Sequence, residues 1–149
     1  MSGKTVRLHR VLRAPADQVY RAFVEPAALA KWLPPHGYLG TVHHLDARVG
    51  GTYRMSFTHL ASGQSHSFGG EYLELEPGRR ICHTDRFDDP GLPGQMTVTI
   101  DLAKTSNGTD VTIVQEGIPD AIPVEDCYVG WQQSLQLLTL LVETPGPTP

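Results

Sequence analysis

Within Arg79–Asp88, RRICHTDRFD, a histidine and an aspartate stand two residues apart between Ile81 and Phe87. Side chains on a strand alternate between faces, so Ile81, His83, Asp85 and Phe87 share one side and Cys82, Thr84 and Arg86 the other. If Ile81 and Phe87 face a core, so do His83 and Asp85. A polar pair in an apolar space needs a partner: a ligand, a water or another buried polar group. Such a pair can orient a ligand or exchange protons with it, because a histidine beside a carboxylate titrates near neutrality. It can equally be a satisfied polar pair of the core, since this spacing alone does not make a catalytic dyad. Thr52–His59 offers a second set on one face, Tyr53, Met55, Phe57 and His59, again rich in aromatic rings.

The remaining chemically capable residues do not assemble. His43 and His44 are adjacent in a strand pattern, so strict alternation sends them to opposite faces, where they cannot share a metal. His9, His36 and His66 read as solvent-facing. No histidine or carboxylate recurs at ligand spacing on one element, so no metal is expected. Cys82 and Cys127 lack a CxxC or Cys-His spacing and are expected to be two partly buried thiols. There is no G-x-S-x-G, and Gly50-Gly51 joins two strands rather than opening a helix. Neither an activated serine nor a dinucleotide fingerprint is expected, and no cofactor is implied.

The elements that must position these residues follow from periodicity. Pro15 opens a short helix on which Ala16, Val19, Tyr20 and Phe23 form one apolar stripe, with Asp17 in the first turn facing the positive end of the dipole. Glu25-Pro26 restarts the chain as a second short helix carrying Leu29 and Trp32, which Pro34-Pro35 stops. Strand patterns then cover Tyr38–Val49, Thr52–His59, Ser67–Glu76, Arg79–Asp88, Gln95–Lys104 and Asp110–Gly117. Asn107-Gly108 signals a two-residue hairpin, and Asp88–Gly94 reads as a mobile loop able to lie over a pocket mouth. From Pro123 to Glu143 the period becomes helical: Cys127, Tyr128, Trp131, Leu135, Leu138 and Val142 form a stripe. Leu135–Val142 is apolar over a wider arc and is expected to be buried on two sides. Thr144–Pro149 reads as a frayed tail. A strand, two short helices, a run of strands and a long helix predict a sheet gripped by helices around a cavity.

Composition narrows the function classes. The 149 residues suit a single domain with its ordered core over Val6–Val142, and 40% hydrophobic content suits a globular one. With a formal charge of −4 and scattered Lys and Arg, neither a nucleic-acid footprint nor a membrane anchor is present. Met1–Lys4 leads directly into a strand pattern without a secretory apolar region, so a cytoplasmic location is expected.

The segment Asp46-Ala-Arg48-Val-Gly50-Gly51-Thr-Tyr53-Arg54 resembles the D-x-R-x-G-G-x-aromatic segment of the START-like (SRPBCC, Bet v 1-like) superfamily, in the branch named after activators of the Hsp90 ATPase. The blocks Arg13-Ala-Pro15 to Trp32-Leu-Pro34, Gly70-Glu-Tyr72 to Arg80-Ile81, and Gly130-Trp131 with Leu135 and Leu138 fit the same family in order, from about Val6 to Val142. The resemblance implies an α+β helix-grip fold, a curved antiparallel sheet of six or seven strands wrapped around the long C-terminal helix with an elongated cavity between. It implies no chaperone partner by itself, because the N-x-x-N-x-W-H-W type motif of the activators' separate N-terminal domain is absent from this sequence. In this topology the aromatic and methionine-rich set becomes candidate cavity lining rather than solid core. The expected ligand-binding residues are Trp32, Tyr53, Met55, Phe57, His59, Phe68, Tyr72, His83, Asp85, Phe87, Met96, Val98, Trp131 and Leu135. The expected function is binding of a small, largely apolar molecule. Its rivals are an enzyme on the same scaffold, such as a polyketide cyclase-like or hydrolytic activity, and a chaperone-type interaction module. Oligomeric state is left open, a homodimer included.

Overall fold

The computed structural model describes residues 4–143, so the tail expected over Thr144–Pro149 lies outside the described residues. The order is β1 (Lys4–Leu12), α1 (Ala16–Val24), α2 (Pro26–Trp32), β2 (Tyr38–Leu45), β3 (Thr52–His59), β4 (Ser65–Glu76), β5 (Arg80–Phe87), β6 (Met96–Thr105), β7 (Gly108–Ile118) and α3 (Val124–Glu143). The strands form one antiparallel 7-stranded sheet in the order β1-β7-β6-β5-β4-β3-β2. This is the helix-grip architecture. Among the described residues no helix is long and apolar enough to cross a membrane.

Local chemistry explains the helical opening. Pro15 keeps extended angles, and its carbonyl accepts from Gln18 and Val19, so α1 begins where a proline costs no amide. Ala16, Val19, Ala22 and Phe23 are buried, while Tyr20 is only half-buried. Pro26 then starts α2, whose buried residues are Leu29 and Trp32.

Among the described residues the sheet has three register shifts, one between Lys4 and Val6 in the β1–β7 pairing and two nearer the site. Of these two, one lies between Tyr72 and Glu74, making Leu73 the extra residue and keeping Tyr72 and Leu75 opposite His83 and Ile81. The other lies between Val42 and His44. There the expectation that His43 and His44 oppose each other fails, because the bulge absorbs one residue of the alternation. His43 Nε2 meets Ser56 Oγ at 2.6 Å and His44 Nε2 meets Thr52 Oγ1 at 2.9 Å, both on the outer face of β3. Strand β2 also ends at Leu45 rather than Val49, since Asp46–Gly51 folds back on itself through Arg48 N–H to Asp46 O and Gly51 N–H to Arg48 O.

The β6–β7 hairpin is displaced by one residue from its sequence signal. Thr105 pairs with Gly108, leaving Ser106 and Asn107 as the loop. Gly108 serves a different need: a Cβ there would sit 2.0 Å from the Leu12 carbonyl oxygen, so glycine lets β1 end against the hairpin.

Helix α3 is about 30 Å long at 1.5 Å per residue, and its close approaches are to β1, α2 and α1 rather than to β3, β4 or β5. The sheet therefore closes on the helix at one side and stands away at the other. Ser134, Leu135, Leu138 and Val142 are buried. The expectation of two buried sides over Leu135–Val142 is corrected: Leu140 is 59% and Leu141 36% exposed, because only one face of the helix meets protein. Leu135, 1% exposed, carries the seam. Leu135→Ala should lower unfolding free energy by about 2–5 kcal/mol through lost burial and a residual cavity. Urea denaturation checks this, and an unchanged midpoint would show that α3 packs elsewhere.

Candidate functional site

Where sheet and helix diverge lies a cavity of about 470 Å³. Strands β3, β4 and β5 supply Tyr53 and Phe57, then His66, Phe68 and Tyr72, then Ile81, His83, Asp85 and Phe87. Val98 and Ile100 come from β6 and Gln115 from β7, while Phe23, Leu29 and Leu33 close the α1–α2 end. Asp126, Cys127, Gly130, Trp131 and Ser134 come from α3. Asp126 and His66 line the cavity and are also solvent-exposed, which marks the mouth between the start of α3 and the outer ends of the strands.

Aromatic rings meet edge to face along the wall. Phe57 and Phe68 have centroids 4.8 Å apart at 76°, and the His83 ring stands at 84° to Tyr53, 5.2 Å away. Opposite them, Trp131 Nε1 donates to Gln115 Oε1 at 2.8 Å, and Gln115 Nε2 donates to Met96 Sδ at 3.2 Å. The buried glutamine thus holds the tryptophan in place and keeps one amide N–H free.

The polar centre is built by an irregularity in the β4–β5 pairing. Glu71 N–H is taken by Thr84 Oγ1 at 2.9 Å, and a Cβ on Gly70 would lie 1.9 Å from the Thr84 carbonyl oxygen. Glycine at position 70 therefore gives that carbonyl its room. It accepts from His83 Nδ1 at 2.8 Å and from the Tyr53 hydroxyl at 3.3 Å. A carbonyl cannot donate, so Nδ1 carries the proton. Burial lowers the His83 pKa against the opposing effect of that backbone bond, which favours the neutral ring with Nε2 as an acceptor. Among the described residues Nε2 has no hydrogen-bond partner.

Asp85 is next on the same face. Burial raises its pKa to about 7, against the lowering effects of Tyr53 and the Arg86 backbone N–H. Its Oδ1 is buried without a hydrogen-bond partner. Burial, followed by the charge of Asp85, drives Tyr53 well above the ordinary phenol range, so its hydroxyl remains a donor. Burial and the neighbouring Asp126 likewise raise Cys127, which makes it a poor nucleophile. Near neutrality the centre offers one imidazole acceptor and one carboxyl group poised between its two forms.

The structure brings Tyr53, Phe57, Phe68, Tyr72, His83, Asp85, Phe87, Val98 and Trp131 around one cavity. It places the other expected residues elsewhere. Trp32 and Met55 are fully buried in the main core, where Trp32 donates Nε1–H to Ala22 O at 2.7 Å. Leu135 belongs to the same core, and Met96 packs with Val6 and Ile118 in a second cluster. His59 lies at the strand end, where Nδ1 meets Ser62 Oγ at 2.9 Å across the following turn. No residue of 89–94 lines the cavity; Asp88 is instead paired with Arg54 on the outer face. Sequence reading missed Gln115, although Val111, Ile113 and Gln115 form an inward row that makes a polar member conspicuous. It also missed His66 as a wall residue, which the same alternation with Phe68 carries.

Comparison with solved structures supports the architecture. A protein from Chromobacterium violaceum is 65% identical, with 95% of this chain and 98% of that one covered and a TM-score of 0.94. A Nitrosomonas europaea protein is 25% identical over 93% of this chain and 94% of its own, with a TM-score of 0.78. At 21% identity a Rhodobacter sphaeroides protein still superposes over 96% and 97% of the two chains, at a TM-score of 0.84, and shows the same fold. None of the curated proteins matches. The model of the Activator of Hsp90 ATPase homolog 1-like family matches residues 13–143, spanning the helical opening, the sheet and α3, and the chain belongs to that family.

Proposed function

We propose that this protein binds a small, largely apolar molecule between the sheet and α3. One observation carries the reading: a cavity of about 470 Å³ walled mainly by aromatic and aliphatic side chains, with a few convergent polar groups at one place. Volume, apolar lining and sparse polar contacts are what small-molecule sites share.

Gly130 supplies the test. It lines the cavity, and a Cβ there meets nothing within 4 Å. Gly130→Leu should therefore fill the space from the helix side, while a helix interior tolerates leucine better than glycine. An uncharged apolar fluorescent probe, N-phenyl-1-naphthylamine among several, should bind wild type saturably and quench Trp131, and Gly130→Leu should weaken this at least tenfold. Absence of saturable binding across the probes, or equal binding by both proteins, would overturn the proposal.

A second reading has an observation of its own. His83 and Asp85 line the same cavity, and a pKa of about 7 for Asp85 suits proton exchange with a bound substrate. Turnover in a screen of esters, epoxides and polyketide-like compounds, abolished by His83→Gln, would establish an enzyme in place of a simple binder.

A further inference from the structure

The polar groups around Asp85 are unequal in what they leave for a ligand. The donors beside it are engaged: Tyr53 O–H and His83 Nδ1–H both go to the Thr84 carbonyl. Across the cavity, Trp131 N–H goes to Gln115 and Ser134 O–H to Leu33 O at 2.6 Å. Two acceptors of the polar centre are without partners, Asp85 Oδ1 and His83 Nε2, two residues apart on one face of β5, while the donors left on the wall are neutral ones, the Tyr72 hydroxyl and the second Gln115 amide N–H. Among the described residues no Lys or Arg lines the cavity, and the other charged wall residue is a second acid, Asp126, at the mouth.

We propose that the occupant is a lipophilic amine, held as its ammonium by Asp85 and His83 Nε2 and surrounded by aromatic rings of β3, β4 and β5. The inference rests on the binding reading above and names its ligand class. An ammonium is a donor without acceptors, and it matches the two acceptors that β5 leaves without partners. Its bond to a carboxylate is charge-assisted and stronger than any bond an alcohol makes there. The rings of Tyr53, Tyr72 and Phe87 add attraction for a cation, which is larger in a desolvated site. A fatty-acid-type carboxylate meets the opposite situation: like charge from Asp85 and no Lys or Arg counter-ion on the wall.

The titratable groups on the wall set the pH dependence. They are Tyr38 at the start of β2, Tyr53 on β3, His66 and Tyr72 on β4, His83 and Asp85 on β5, and Asp126 and Cys127 on α3. Burial raises Tyr53, Tyr72 and Cys127 further from neutrality and lowers His66 and His83. Ionisation of Asp85 near pH 7 therefore favours the ammonium as pH rises, and protonation of either imidazole at acid pH opposes it in the same direction.

Three probes with one tail separate the possibilities: 4-phenylbutylamine, 4-phenylbutan-1-ol and 4-phenylbutyrate, titrated by calorimetry and Trp131 fluorescence at pH 5, 6.5 and 8. At pH 8 the amine should bind at least tenfold more tightly than the alcohol, and the acid should bind most weakly. The amine's advantage should disappear at pH 5, and in Asp85→Asn at every pH. Equal or tighter binding of the alcohol or acid by wild type would overturn the amine assignment while leaving apolar binding intact. Saturable binding of none of the three, together with no effect of Gly130→Leu on the apolar probes, would remove the binding reading and this one with it. The wild-type series needs no variant to fold, so the assignment stands or falls on it.

Discussion

Trp32→Ala should lower unfolding free energy by about 3–5 kcal/mol, because a fully buried indole is lost and its space cannot wholly collapse. Packing is only part of the effect. The carbonyl of Ala22, near the end of α1, would ordinarily accept from the amide four residues on, but that residue is Pro26 and has no N–H. Trp32 Nε1 takes its place at 2.7 Å, and the ring meets Phe23 edge-on with centroids 4.8 Å apart. Trp32 thus joins α1 to α2 across the break that Pro26 imposes. Trp32→Phe keeps most of the volume and should cost about 1–3 kcal/mol, largely from the unpaired carbonyl. Denaturant titration of both variants separates the two contributions. If Trp32→Phe proves as damaging as Trp32→Ala, the hydrogen bond rather than the buried volume governs the joint. Because Trp32 does not line the cavity, ligand quenching of Trp131 should survive in Trp32→Phe.

The case of Trp32 shows what the sequence carried and what it withheld. Alternation placed Ile81, His83, Asp85 and Phe87 together on one face, and the cavity wall contains all four. Alternation names a face, however, not a distance from the helix. Met55 and Val42 share the inner face where the sheet is packed shut, whereas Tyr53 and Phe57 on the same strand border open space. That difference depends on where α3 lies, and α3 is set by long-range contact with β1, α1 and α2. Bulges were invisible for a related reason. Nothing in Val42-His43-His44 announces an extra residue, and its consequence, two histidines on one face, reverses the simple pattern. The helical stripe correctly identified Leu135, Leu138 and Val142, but periodicity could not say that Leu140 and Leu141 have nothing to pack against. The Thr84 carbonyl, around which the polar centre is organised, leaves no side-chain signal beyond Gly70.

Asp85→Asn should stabilise the protein at pH 8 by up to about 4 kcal/mol and change little near pH 4. The sign follows from proton counting. In the unfolded chain Asp85 ionises around its ordinary 3.8, whereas burial holds it protonated in the folded state up to about 7. Between these values the folded state binds more protons, so stability falls as pH rises through this window and levels off above it. His83 works in the other direction: its lowered pKa contributes stability that is present at neutral pH and lost as pH falls below the unfolded value of 6.5. Both proteins share the His83 contribution, so subtracting the two denaturation curves isolates Asp85. The difference should rise from about zero at pH 4 to its plateau near pH 8. A difference independent of pH would show that Asp85 ionises normally in the fold. A carboxyl group that weakens the free protein at the pH where it becomes charged needs a compensating role, and an ammonium ligand would supply one. At pH 8, 4-phenylbutylamine should therefore raise the thermal midpoint of wild type and leave that of Asp85→Asn nearly unchanged. Equal rises in the two proteins would separate the instability of Asp85 from ligand recognition and leave it without a function in binding.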